Sequence, residues 1–233
     1  MVISHRLLII SAIFITSLIT ANIIAVKLIV LGIDPVRIGA FEFPAPLPAA
    51  IIIFPLSYIF GDILTEVYGY RVARRVIWLG FLCNLFAVIA FALAGLIPAL
   101  DTEVQGAYER ILGYTPRLLA ASFAAYLVGE FANAFVLAKM KVMTKGRFLW
   151  TRTIGSTIVG QGLDSAVFIA IAFAGVLGWP VLAGIVLTHW LVKTGYEIAA
   201  TPLTYAIVNF LKRSERIDTF DRDTEFNPLL ITR

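Results

Sequence analysis

The stretch Phe54-Pro55-Leu56-Ser57-Tyr58-Ile59-Phe60-Gly61-Asp62-Ile63-Leu64-Thr65-Glu66-Val67-Tyr68-Gly69-Tyr70-Arg71-Val72-Ala73-Arg74-Arg75 decides how this chain folds. It begins as an apolar helix of membrane grade and ends in a basic turn. Between those ends it carries two carboxylates, Asp62 and Glu66, four residues apart and so on one helix face. An acid at membrane depth is costly and normally faces a bundle interior or a wet cavity. The stretch is therefore either the wall of a substrate site or half of a buried ion pair.

The composition places that helix in a membrane. The chain has 233 residues, of which 60% are hydrophobic and 15% charged. Its mean hydropathy is +0.90, and a soluble domain has about 25% charged residues. The net charge of +4 reads as the basic excess of cytoplasmic loops, not as a nucleic-acid footprint. The single cysteine, Cys83, makes no intramolecular disulfide and anchors no metal site. The apolar run Leu7–Leu31 is too long for the apolar core of a signal peptide and is expected to be retained as a span.

Outward from the opening stretch, hydropathy predicts an all-α integral membrane protein of six transmembrane helices. The spans run about 7–31, 47–68, 76–100, 117–138, 153–177 and 181–211, and residues 212–233 form a cytoplasmic tail. Gly32–Pro46 and Asp101–Pro116 read as loops. Pro55, interior to the second span, predicts a kink about two turns before Asp62. The third span is apolar apart from Asn84 and reads as a structural, lipid-facing helix. His189, Tyr68, Tyr70, Tyr114 and Trp179 sit at predicted interfaces, and Trp78 and Tyr58 read as packing aromatics.

Loop charges orient the spans. Arg71, Arg74 and Arg75 fill one connection, Lys139, Lys141, Lys145, Arg147 and Arg152 another, and Lys212, Arg213 and Arg216 open the tail. The intervening connections are acidic, mixed or uncharged. By the positive-inside rule both termini are cytoplasmic. Such a chain belongs in the bacterial cytoplasmic (inner) membrane.

Six ionisable groups then lie at membrane depth: Asp62, Glu66, Glu130, Asp164, Lys193 and Glu197. Each costs about 2.5–3.5 kcal/mol at the bilayer centre on insertion scales, so they should cluster. Glu130/Asn133 and Gln161/Asp164 are three residues apart, and Lys193/Glu197 four, so each pair forms a one-sided polar stripe. Five carboxylates face one amine. Either some of the acids hold protons, or the site takes a donor-rich or cationic guest. Asn22, Asp62, Glu130, Asn133, Gln161, Asp164, Lys193 and Glu197 are the candidate substrate-binding residues. Ser17, Ala21 and Ala25 recur every four residues, the small-residue pattern of close helix approach. No HExxH, GxSxG or P-loop sequence is present. The reading is of a transporter, not an enzyme, with no cofactor and no metal.

These residues resemble the queuosine precursor transporter family, also called the vitamin uptake transporter family. The resemblance rests on Asn22 with Lys27, Phe54-Pro55-Leu56-Ser57-Tyr58, Asp62-Ile63-Leu64-Thr65-Glu66-Val67-Tyr68-Gly69 and Ala73-Arg74. It continues through Gln161-Gly162-Leu163-Asp164-Ser165 with Phe168, Lys193 with Glu197, Pro202 and Tyr205, and Phe226-Asn227-Pro228. It covers about residues 20 to 228. It implies a six-helix importer whose bundle is similar to the substrate-binding components (S components) of energy-coupling-factor transporters, and a substrate that is a 7-deazaguanine such as preQ0 or preQ1. On that reading Asp164 or Asp62 accepts the ring's N1–H and 2-amino group as a bidentate pair, while Asn22, Gln161 or Lys193 donates to its carbonyl. Glu66 is expected to pair with Arg74 or Arg75. The implied partners are a purine-like small molecule and the lipid bilayer. A transmembrane coupling partner docked on Ser17, Ala21 and Ala25, or a homodimer, stays open. The alternative function is a binding component for another vitamin-like molecule that needs an ATPase-containing partner.

Overall fold

The computed structural model describes residues 4–29, 36–38, 41–43, 47–113, 116–176 and 178–230, with 28, 36–38, 41–43, 47 and 116 described by backbone alone. Tyr114 and most of the predicted loop over residues 32–46 lie outside the described residues.

Among the described residues there are seven α-helices: α1 His5–Ile24, α2 Phe54–Ile63, α3 Tyr70–Gly95, α4 Thr102–Leu112, α5 Pro116–Met143, α6 Leu149–Phe173 and α7 Trp179–Glu215. Two short antiparallel ladders join α1 to α2. They are β1 Leu28–Ile29 with β4 Leu47–Pro48, and β2 Val36–Ile38 with β3 Phe41–Phe43. Among the described residues five helical stretches are long and apolar enough to cross a membrane: His5–Ile24, Ala49–Tyr68, Tyr70–Gly95, Thr102–Met143 (α4 taken together with α5) and Leu149–Phe173. The long α7 is not among them, because His189, Lys193 and Glu197 lower its apolarity.

Local chemistry sets the boundaries. Ser4 caps α1 by accepting from the Leu7 N–H at 3.1 Å, which satisfies one of the orphan donors of a helix start. Pro55 does not kink the interior of a helix as predicted. It lies in the first turn of α2, after a separate 3-10 turn over Ala49–Ile52. A missing N–H costs nothing at that position. The Asp101–Pro116 segment, predicted as a loop, contains α4. Asp101 caps that helix by accepting from the Glu103 N–H at 2.8 Å, with Glu103 in its first turn and Arg110 in its last, the arrangement the helix dipole favours.

The sequence Leu64–Tyr68 continues α2 as a π-helical turn that ends at Gly69, where φ is +86°. Glycine is the residue that tolerates this backbone. The centre of the bundle is the α5–α6 crossing. A Cβ on Gly129 would lie 2.8 Å from the Asp164 Cβ and from the Tyr58 hydroxyl, and one on Gly160 would lie 2.7 Å from the Asn133 Cβ. Two glycines therefore set how closely the polar residues of α5 and α6 approach. By contrast α3 turns one face outward, with Leu82, Phe86, Ile89 and Leu93 exposed. That exposure is ordinary for a helix facing lipid tails. Its Asn84 departs from the lipid-facing reading: it is 4% exposed and accepts from the Asn22 amide at 3.0 Å.

The segment after α7 folds back across the bundle end. The Asp221 carboxylate accepts from the Tyr70 N–H at 2.9 Å, and the Arg74 guanidinium donates to the Glu225 and Asn227 carbonyls at 3.0 and 2.7 Å. Trp78 Nε1 donates to the Pro228 carbonyl at 2.8 Å. The Phe226 ring packs on Tyr70 and Phe135.

Candidate functional site

The polar residues divide into three levels along the bundle. At one end the last turns of α1, the first turn of α2, the second and third turns of α5, the C-terminal half of α6 and the N-terminal half of α7 surround a cavity of about 120 Å³. Its walls include Ala21, Ala25, Phe54, Tyr126 and Phe168, and its polar groups include Asn22, Ser122, Asp164, Ser165, His189 and Lys193. The Lys193 ammonium donates to Asp164 Oδ2 at 2.7 Å and stands 4.1 Å from the Phe54 ring centroid. The Asn22 carbonyl accepts from the Ser122 hydroxyl at 3.4 Å. His189, read as interfacial from sequence, lines this cavity.

Below the cavity is a buried layer made by Asp62 of α2, Glu130 and Asn133 of α5, Gln161 of α6 and Glu197 of α7. All five are at most 2% exposed. None of them lines the cavity. The Asn133 amide donates to Asp62 Oδ1 at 2.7 Å. Asp62 Oδ2, Glu130 Oε1, Asn133 Oδ1, Gln161 Oε1, both Glu197 oxygens and the Tyr58 hydroxyl have no hydrogen-bond partner among the described residues. A buried polar atom left in that condition costs about 1–3 kcal/mol.

The third level is an ion-pair hub at the opposite end. Glu66, 0% exposed, receives Arg152 Nε on Oε2 at 2.8 Å and Arg152 Nη2 on Oε1 at 2.7 Å. Lys212 Nζ reaches the same Oε1 at 2.6 Å, and Lys141 Nζ lies 3.6 Å from it. The expected pairing of Glu66 with Arg74 or Arg75 is thus corrected. Arg74 is committed to the C-terminal segment and Arg75 is exposed, whereas Arg152, at the start of α6, points straight into the bundle end. The π turn separates the two acids of the opening stretch into different networks. Asp218 closes the hub from the C-terminal segment by accepting from Lys141 and Lys212. Partial burial pushes its carboxyl up, but the two lysine hydrogen bonds outweigh that and hold it below the usual carboxylate range.

The structure therefore gathers Asn22, Asp164 and Lys193 at the cavity and Asp62, Glu130, Asn133, Gln161 and Glu197 in the layer beneath. It does not leave Ser17, Ala21 and Ala25 as a docking face. Ser17 and Ala21 are 6% and 2% exposed, and Ala21 and Ala25 line the cavity. Their small side chains let α1 lie close to the chain's own bundle. Sequence reading missed Lys141, Arg152 and Lys212 as partners of Glu66. In sequence they read only as cytoplasmic loop charges, and an arginine at a helix start looks the same whether it faces water or turns inward.

Residues 48–207 match the family described as "Putative vitamin uptake transporter". The chain is 31% identical over 159 residues to a "Probable queuosine precursor transporter" of Bacillus subtilis (strain 168), an alignment covering 66% of this chain and 69% of that protein. It is 25% identical over 138 residues to a "Queuosine precursor transporter" of Escherichia coli (strain K12), covering 59% of this chain and 58% of the relative. A third relative, a "Probable queuosine precursor transporter" of Haemophilus influenzae, is 25% identical over 52% of this chain and 49% of its own length. No solved structure matches the chain. With its apolar helices, this similarity identifies a multi-pass protein of the bacterial inner membrane. The family match over most of the chain establishes that the protein belongs to the vitamin uptake transporter family, a family of transporters and not of enzymes.

Proposed function

We infer that the chain imports queuosine precursors, 7-deazaguanines such as preQ0 and preQ1, and binds them in the cavity between α1, α2, α5, α6 and α7. The observation that carries this reading is the Asp164–Lys193 pair at 2.7 Å beside the Phe54 ring. A deazaguanine offers N1–H and a 2-amino group side by side, which a carboxylate accepts together. Its carbonyl needs a donor, and Lys193 and Asn22 stand at the same cavity. Its flat ring needs apolar faces, which Phe54 and Phe168 supply. Of the eight candidate binding residues, Asn22, Asp164 and Lys193 are assigned to the substrate.

Orientation follows from charge. The hub end carries Lys141, Arg152 and Lys212, so by the positive-inside rule it faces the cytoplasm and the cavity faces outward. Both termini are then cytoplasmic, and α7 is the sixth span. The cavity accepts substrate from outside while the hub and the C-terminal segment close the inner end. Docking of a separate coupling protein on Ser17, Ala21 and Ala25 has little support, because the first two are buried in the chain's own bundle.

The test is uptake. The protein is expressed in cells that neither make nor import queuosine precursors, preQ0 or preQ1 is supplied at low concentration, and tRNA is assayed for queuosine. Queuosine restored by wild type and lost in a well-expressed Asp164→Ala variant supports the reading. No queuosine from well-expressed wild type overturns it.

A further inference from the structure

We propose that Asp62, Glu130 and Glu197 form a proton site that couples import to the proton gradient across the membrane. This rests on the transport reading above and adds its source of energy.

The three carboxyl groups come from three helices, α2, α5 and α7, and lie in the layer between the cavity and the hub. They are 0%, 2% and 1% exposed. Each lies within electrostatic reach of the others. The cations that the bundle brings inward are committed elsewhere. Lys193 holds Asp164, and Arg152, Lys141 and Lys212 hold Glu66. Among the described residues the trio has one hydrogen bond that partners it, from Asn133 to Asp62. Three ionised carboxylates without counter-ions in a low-dielectric layer would be prohibitively costly. Nor do the groups lie close enough together to hold a metal ion: no set of three or more acids or histidines among the described residues does so. A proton needs no such shell of ligands.

A second observation points the same way. The Tyr58 hydroxyl, 1% exposed and without a partner, sits against Gly129 beside the Asp164 Cβ. It stands within electrostatic reach of Asp164, Glu130, Asp62 and Tyr126. Buried Gln161 Oε1 and Asn133 Oδ1 are unpartnered in the same layer. The groups facing the trio are therefore Tyr58 and Glu66 from α2, Tyr126 from α5, Asp164 from α6 and Lys193 through Asp164 from α7. Chains of intramembrane acids of this kind serve as proton relays in transporters. In the proposed cycle a carboxylate of the trio takes a proton that enters from water at the cavity and passes Asp164 and the Tyr58 hydroxyl as precursor binds, and it returns that proton to water when the cytoplasmic end opens. No bond other than O–H forms or breaks.

The experiment uses the full chain in proteoliposomes with labelled preQ0, whose nitrile carries no charge of its own. Counterflow against unlabelled preQ0 at equal pH tests transport alone. An imposed gradient, alkaline inside by one pH unit, tests coupling, because one proton per substrate then permits about tenfold accumulation. The expected result is counterflow in wild type, accumulation that a protonophore abolishes, and Glu130→Gln and Glu197→Gln variants that keep counterflow but no longer accumulate. Counterflow without gradient-driven accumulation in wild type overturns the coupling and leaves the transport reading standing. Absence of both sinks the transport reading. Accumulation at wild-type level in both variants removes the trio from the proton path. Asp62→Asn, which keeps the Asn133 contact within reach, serves as the third variant if either glutamine variant is not monodisperse.

Discussion

Arg152 grips Glu66 with two parallel hydrogen bonds, Nε to Oε2 at 2.8 Å and Nη2 to Oε1 at 2.7 Å, across 86 residues of sequence. Both side chains are at most 1% exposed. This fork joins the end of α2 to the start of α6, and Lys212 and Lys141 draw α7 and α5 to the same carboxylate. This end of the bundle is thus tied at one carboxylate.

Breaking that fork should unfold the bundle end. Removing one partner of a buried pair costs about 3–5 kcal/mol, because the other charge stays buried. Arg152→Ala is expected to lower the unfolding midpoint in detergent sharply. Arg152→Lys should fall in between, since lysine keeps the charge and loses the fork. A midpoint for Arg152→Ala within one degree of wild type would contradict this assignment.

Asp164→Asn should abolish precursor binding more than it disturbs folding. It keeps the side-chain volume and removes the charge that pairs with Lys193 and that the proposed function assigns to the substrate. Hydrogen bonds to charged groups contribute about 1.5–3 kcal/mol, which corresponds to roughly 10- to 150-fold in affinity. Direct binding of preQ1 to purified protein measures it, and an unchanged Kd would remove Asp164 from the substrate site.

Gly129→Ala and Gly160→Ala should each push α5 and α6 apart. The added methyl would meet the Asp164 Cβ at 2.8 Å in the first and the Asn133 Cβ at 2.7 Å in the second. Overpacking of this kind costs about 1–3 kcal/mol. Both variants should lose thermal stability, and uptake should fall more in Gly129→Ala because its clash bears on Asp164. Equal stability in all three proteins would show that the crossing has room to spare.

Asp218 gives the C-terminal segment a pH signature. Its folded carboxyl sits below the unfolded value of about 3.9, held there by Lys141 and Lys212 despite partial burial. A depressed folded value means a stabilising contribution that is present above the unfolded value and disappears as pH falls through the folded one. The stability gap between wild type and Asp218→Asn should therefore be full at pH 6 and shrink below about pH 4. A gap that widens on acidification would reverse the sign and refute the ion pair.

What the sequence determined by itself is mostly one-dimensional. Hydropathy marked the membrane-grade helices, and helix periodicity placed Asp164 and Glu130 on inward stripes. The run from Asp62 to Gly69 pointed to the family. Each of these signals is local, carried by residues within a few turns of one another. The pairing of charges is not local. Whether Glu66 meets Arg74, eight residues away, or Arg152, 86 away, depends on a π turn that redirects α2 and on how α5 and α6 close over Gly129 and Gly160. The same holds for Ser17 and Ala21, whose small side chains read equally well as an outer docking face or an inner contact. Only packing decided that they face inward. The division of the acids into a cavity level and a deeper layer also came from the tertiary structure alone. Depth along a helix is legible in sequence, but which neighbour helix supplies a counter-ion at that depth is a property of the assembled bundle.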